Sequence, residues 1–187
     1  MMIEDIFRDI PMLETERMIL RRLRMEDADD LFAYASDPEV SRYVVWDTHK
    51  SIEDSKSFLG SVLEQYNNGM VSSWGIEERA SGKLIGTCGF VYWNITHARA
   101  EIGYALGRAY WGRGYMTEAA GRITAFGFEN MQLNRVEARC EVPNVGSARV
   151  MQKIGMSYEG ILRQQMFVKG RYQDLMMYSI LRSEWEP

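Results

Sequence analysis

Two groups of residues in this 187-residue chain have types and spacings suited to chemistry. The first is the run Tyr110-Trp111-Gly112-Arg113-Gly114-Tyr115-Met116-Thr117-Glu118. Two glycines one residue apart let the backbone turn tightly. The residues after them open a helix-like run, whose first amide N–H groups have no partner inside the helix. Such donors at a positive dipole end seat phosphate, although a plain turn uses the same two glycines. The second is Glu101, between Ala100 and Ile102 on a strand-like run that feeds the turn. Partial burial there raises a carboxyl pKa and suits it to accept a proton. The competing reading is a strand carboxylate paired with Arg99 or Arg139. Cys140 shares a face with Val136 and Ala138 and reads as a buried thiol, and His97 falls in a turn with no visible partner. Tyr43, Trp46, Phe90 and Trp93 are a weaker group, able to line an acceptor site or to fill core.

These residues need elements to hold them. Residues 18–23 read as a first strand, and Glu26, Asp27, Asp29 and Asp30 load the start of a helix with acid, which its dipole favours. Asp37-Pro38 ends that helix in this reading. Ser51-Ile52-Glu53-Asp54 resembles a capping box opening a second helix over 52–66, with Phe58, Leu59, Val62, Leu63 and Tyr66 as one apolar stripe. Asn67-Asn68-Gly69 stops it. The pattern then changes to strands at 73–77 and 84–92, joined by the turn Arg79-Ala80-Ser81-Gly82. A strand over 98–106 puts Ala100, Ile102 and Tyr104 on one face and Glu101 and Gly103 on the other. A helix over 115–129 follows the glycines, and 135–141 alternates strictly, as a half-buried strand does. Residues 144–154 form a short helix ended by Gly155, and 158–168 with 172–181 close the chain as a hairpin across Lys169-Gly170.

The string Glu101-Ile102-Gly103-Tyr104 followed by residues 110–119 resembles the GCN5-related N-acetyltransferases (GNAT), in the branch that includes the RimJ and RimL ribosomal-protein acetyltransferases. The wider family's turn, Gln/Arg-x-x-Gly-x-Gly/Ala, falls on residues 111–116, where only Gly114 matches literally. The order of elements agrees with that family's fold over about residues 15–181. The fold class implied is α/β (α+β): a mixed, mostly antiparallel seven-stranded sheet with four helices, splayed between strands four and five (98–106 and 135–141). The resemblance implies acetyl-CoA as cosubstrate. The pyrophosphate would lie on Trp111, Gly112, Arg113, Gly114, Tyr115, Met116 and Thr117, and the pantetheine arm against strand four at Ile102, Tyr104 and Leu106. Residues 144–156 resemble Asn-x-x-Ala/Ser-x-x-Leu-Tyr-x-Lys-x-Gly-Phe, with Asn144, Ser147, Lys153 and Gly155 matching. The tyrosine that protonates the leaving thiolate in many members is Met151 here, so Ser147 is the remaining candidate partner for the thiolate. Asn144 and Lys153 are expected to hold the cofactor. As nulls, Asn144 serves as helix N-cap and Ser147 satisfies a first-turn amide. Acetyl transfer needs a proton acceptor for the amine, and the branch is thought to use a glutamate at Glu101, through water.

Composition narrows the setting. The length suits one domain over 1–187 with a sizeable core, and no apolar run is long enough to span a bilayer. The acidic start Met1-Met2-Ile3-Glu4-Asp5-Ile6 is unlike a signal peptide. Two cysteines make no disulfide framework, which suits the cytoplasm. With two histidines and no Cys/His cluster, no metal is expected. A net charge of −4 argues against direct nucleic-acid binding. The expected enzyme acetylates a primary amine in a ternary complex, with the N-terminus of a ribosomal protein as the leading acceptor. The alternatives are a small-molecule amine (antibiotic or polyamine), or a CoA-binding protein without catalysis. A homodimer is compatible with all of them. A nucleotide-binding module would want lysine directly after the glycines, where Tyr115 stands.

Overall fold

The computed structural model describes residues 3–186; Met1 and Met2 of the acidic start lie outside the described residues. The period-two segments pair into one eight-stranded sheet, in the order β1-β2-β3-β4-β5-β6-β8-β7. The strands are β1 (Leu13–Glu14), β2 (Met18–Arg21), β3 (Ser73–Glu78), β4 (Leu84–Asn94), β5 (Arg99–Leu106), β6 (Arg135–Glu141), β7 (Ser157–Val168) and β8 (Arg171–Leu181). All neighbours are antiparallel except β5 and β6. The sheet therefore has eight strands rather than the expected seven. The extra one, β1, is two residues long and too short to show a period.

Six α-helices are present among the described residues rather than four: α1 (Ile3–Phe7), α2 (Ala28–Ala35), α3 (Pro38–Ser41), α4 (Ile52–Asn67), α5 (Tyr115–Glu129) and α6 (Val145–Lys153). Pro38 does not merely stop α2. It opens α3, where a missing N–H costs nothing, and the Asp37 carboxylate accepts from the Glu39 amide at 2.9 Å. At the start of α4 the Asp54 carboxylate accepts from the Lys50 and Ser51 amides (2.7 and 3.0 Å), as the capping-box reading required. Its stripe of Leu59, Val62 and Tyr66 is buried.

Strand alternation sorts the core into two layers. Trp74, Cys88, Phe90, Ala100, Ile102, Val136, Ala138 and Cys140 are buried along one face. The Phe7 ring of α1 meets Trp74, Phe90 and Trp93 there, and Phe126 of α5 packs on Trp74 at 5.4 Å. Phe90 and Trp93 are thus packed on α1, not in an acceptor site. Helices α2 and α4 pack together on the opposite side of β4. No helix among the described residues is long and apolar enough to cross a membrane.

Candidate active site

Strands β5 and β6 are paired only at Arg99/Arg135, Ala100/Val136 and Glu101/Glu137. Past Glu101, β5 stays with β4 as far as Leu106, and β6 stays with β8 as far as Glu141. The sheet therefore splays where expected. On the side of β5 that faces β6, backbone groups of residues 102–106 leave the ladder and are exposed to whatever enters the slot. One of them is already engaged, since the Trp111 indole N–H donates to the Leu106 carbonyl at 2.7 Å. The side chains of Ile102 and Leu106 are buried in the α5 layer, so these residues offer backbone only.

Beyond the slot, Gly112 and Gly114 both take left-handed conformations (φ 70° and 80°), which glycine adopts without strain. Gly114 is the N-cap of α5, and no side chain caps that helix end. By contrast, α3 and α6 are capped by Asp37 and Asn144. The Tyr115 and Met116 side chains are buried, Thr117 is half-buried and Arg113 is exposed, so the turn presents backbone amides at a positive dipole end. Arg17, which the sequence reading passed over, holds this turn in place. Its Nε and backbone N–H donate to the two Glu118 oxygens (2.7 and 2.9 Å), and another guanidinium nitrogen donates to the Arg113 carbonyl at 2.8 Å. The same guanidinium lies 4.3 Å from the Tyr115 ring centre. The Tyr115 hydroxyl in turn donates to Glu78 at 2.6 Å, a bond that holds the Glu78 carboxyl below its ordinary range.

Helix α6 faces the slot from the β6 side. Asn144 is its N-cap, accepting from the Ser147 amide at 3.2 Å, so that part of the structural reading is realised. Ser147 does not satisfy a first-turn amide. Its Oγ lies 2.9 Å from the Tyr104 hydroxyl, which also reaches the Ser147 carbonyl at 3.2 Å. Burial pushes the Tyr104 pKa well above that of a free phenol, against the opposing effect of the Ser147 bond. Met151 is fully buried and turned away from such chemistry. The Cys140 thiol is buried too and donates to the Asn144 carbonyl at 3.8 Å; burial raises its pKa to about 11. Between α5 and α6 runs a cleft of about 450 Å³, whose lining includes Thr117, Gly121, Thr124, Lys153, Gly155 and Trp185. It brings together Thr117 and Lys153, two of the expected binding residues.

Glu101 projects from the other face of β5. It makes a bidentate pair with Arg139 of β6, at 2.9 Å to Nε and 2.8 Å between the opposite atoms. Of the two partners weighed, Arg139 is therefore the one used, while Arg99 lies 3.8 Å from Glu137. Burial still dominates and leaves the Glu101 carboxyl raised; Arg139 lowers it and Glu137 adds to the rise. The pair is half of a charged row in which Arg135 joins Glu137 at 2.8 Å and Glu159 at 2.7 Å. Trp46 packs against His49 at 5.4 Å, and Tyr43 lies under the Arg42 guanidinium at 5.2 Å. The arrangement thus offers an extended slot, an anion seat at one end, a raised carboxylate on one face and paired hydroxyls on the other. That is a site for moving an acyl group between two bound molecules.

The profile of the acetyltransferase (GNAT) domain family matches residues 17–157, and the chain belongs to that family of N-acetyltransferases, whose acetyl donor is acetyl-CoA. It is 36% identical over 173 residues to the uncharacterized N-acetyltransferase p20 of Bacillus licheniformis, covering 92% of this chain and 97% of that one. A GNAT-family acetyltransferase from Bacillus anthracis has the same fold, with a TM-score of 0.83, 27% identity and coverage of 93% of this chain and all of its own. A more distant relative is the [Ribosomal protein uS5]-alanine N-acetyltransferase of Escherichia coli, 22% identical over 184 residues, covering 94% of this chain and 93% of its own.

Proposed function

We propose that this chain, working as one catalytic unit over residues 1–187, transfers the acetyl group of acetyl-CoA to a protein N-terminal amine of the ribosomal-protein type. The observation that carries the reading is the splay beginning at Glu101/Glu137, with the uncapped N-terminus of α5 beside it. In the proposed complex the amides of residues 112–117 hold the pyrophosphate. The free backbone of β5 pairs with the pantetheine arm, and the cleft at Thr117 and Lys153 takes the nucleotide end. Asn144 is occupied as N-cap, so its part is to aim α6 at the slot rather than to bind the arm directly.

The amine approaches from the face of Glu101. At neutral pH it is an ammonium, and Glu101, whose carboxyl is raised by burial, accepts its proton through water. Nitrogen then attacks the thioester carbonyl, the new N–C bond forms as the C–S bond breaks, and the electron pair stays on sulfur. The leading acceptor class is supported by the distant ribosomal-protein enzyme named above, and a cytoplasmic site of action follows from that acceptor. Release of free CoA thiol is the test, with N-terminal peptides of ribosomal proteins set beside polyamines and aminoglycosides. Turnover of the peptides at their α-amine, located by mass spectrometry, is the expected result. Preference for a polyamine or aminoglycoside overturns the acceptor assignment. CoA binding without thiol release on any amine would mark a non-catalytic CoA-binding protein.

A further inference from the structure

We propose that Tyr104 is a positioning residue for the departing sulfur: its hydroxyl donates to Ser147 Oγ and so frees the Ser147 proton to point at the CoA thiolate. The inference rests on the acetyl-CoA reading above. Two hydroxyls from opposite walls of the splay meet at 2.9 Å, one from β5 and one from the first turn of α6. Each carries one proton, and hydroxyl rotors turn to suit their partners. Alone, Tyr104 can donate to the Ser147 carbonyl at 3.2 Å while Ser147 donates to Tyr104. A thiolate changes that balance because it accepts and has nothing to donate. Ser147 then turns its proton to the sulfur, and its oxygen takes the Tyr104 proton over the shorter contact. The chain runs Tyr104 O–H to Ser147 O–H to sulfur, and each link strengthens the next.

No proton leaves either residue. The C–S electron pair stays on sulfur, and the ammonium proton goes to the Glu101 side. Burial keeps Tyr104 protonated across the working range, so it remains a donor throughout. The arrangement also accounts for Met151, which is fully buried and has no proton to give: the hydroxyl that serves the leaving group comes from the strand instead.

The test reads the sulfur itself. CoA is bound to the wild-type chain, to Tyr104→Phe, to Ser147→Ala and to the double variant, and thiolate formation is followed by its ultraviolet absorbance against pH. Desulfo-CoA serves as the binding control. We expect the bound thiol of the wild type to ionise about one pH unit lower than in Tyr104→Phe, a roughly tenfold larger thiolate fraction at a given pH. Affinity for desulfo-CoA should agree within about threefold among the variants. Turnover should fall about tenfold in each single variant and no further in the double one, because residues that act as a unit are not additive. Equal thiol ionisation in wild type and Tyr104→Phe overturns the inference, and so do single losses that multiply in the double variant. A Tyr104→Phe chain that loses desulfo-CoA affinity with unshifted thiol ionisation shows a merely structural bridge and also overturns it. If the wild type binds neither CoA nor desulfo-CoA, the acetyl-CoA reading itself falls.

Discussion

Replacing Arg139 by methionine separates a working base from a strand carboxylate at Glu101. Three influences set this carboxyl: burial pushes it up, Arg139 pulls it down, and Glu137 pushes it up. Only the Arg139 contacts, at 2.8 and 2.9 Å, act downward. Removing them leaves two upward influences, so the pKa must rise. An opposite charge at this range lowers a carboxyl by about 1–3 units, and its loss should raise Glu101 by a similar amount. If Glu101 accepts the proton of the amine, the acid limb of kcat/KM moves to higher pH by that shift. Near neutrality the rate then drops by roughly tenfold or more, since each unit is a factor of ten. In Glu101→Gln the limb disappears and turnover falls by roughly 10²–10⁴, the usual worth of a positioned base. Affinity for acetyl-CoA should stay within about threefold in both variants. CoA-thiol release measured from acid to alkaline pH, with melting curves to confirm folding, reads all of this. An acid limb unmoved in a folded Arg139→Met, or near-wild-type turnover in Glu101→Gln, would refute the assignment and leave Glu101 as half of an ion pair.

The remaining expectations concern the cofactor turn and acid stability. Gly114→Val puts a branched side chain at φ 80°, with its Cβ 3.4 Å from the Arg17 guanidinium; CoA affinity by calorimetry should fall tenfold or more, about 1.4 kcal/mol. Unchanged affinity in the folded variant would remove the phosphate-turn argument. Arg17→Ala frees the Arg113 carbonyl and Glu118, and should raise KM for acetyl-CoA about tenfold while kcat stays within about threefold, as loss of uniform binding does. A fall in kcat at unchanged KM would contradict that role. The Glu159 carboxyl is held down at about 2 by Arg135, and Ser179 adds to this against burial. A lowered carboxyl stabilises the fold above its unfolded pKa and loses that contribution as pH falls toward 2. Because Glu159 is 41% exposed, the contribution should be no more than about 1 kcal/mol. Denaturant titrations of wild type and Glu159→Gln should differ at pH 7 and converge near pH 2, and a constant difference would refute the pairing.

Local signals were legible and distant ones were not. Helix α5 has the bounds its sequence shows, because a glycine turn sets its start and the apolar residues Met116, Ala119, Ala120, Ile123 and Phe126 mark its buried face. Strand β6 likewise follows its strict alternation. Pro38 was ambiguous, since proline both follows the end of one helix and suits the first position of another. The splay could be reached only through family resemblance, for no periodicity encodes where two paired strands part. The partners that tune the site lie far apart in sequence: Arg17 and Glu118 by 101 residues, Tyr104 and Ser147 by 43, Arg139 and Glu101 by 38. Charge and hydroxyl count admit several pairings at such separations. Arg139 was one of two partners considered for Glu101, and for Arg17 there was no local signal at all.

The alternation of β5 bears on the order of events. Glu101 and Tyr104 are three residues apart and project from opposite faces of one strand, about 10 Å along it. In the proposed complex the amine loses its proton on the Glu101 face, while the sulfur departs toward Tyr104 and Ser147. The thioester carbon lies in the slot between, accessible from one face to nitrogen and from the other to the groups that receive the leaving sulfur. A covalent acetyl-enzyme would need a nucleophile on the slot wall, and Cys140 is the thiol nearest that description. Its pKa is raised to about 11 by burial, so near neutrality it is a protonated thiol and a poor nucleophile. It also faces the α6 layer with Val136 and Ala138, away from the side on which the amine arrives. Direct transfer follows from that division of the strand, and initial-rate patterns with both substrates varied should intersect; parallel lines would require a covalent intermediate on a residue other than Cys140.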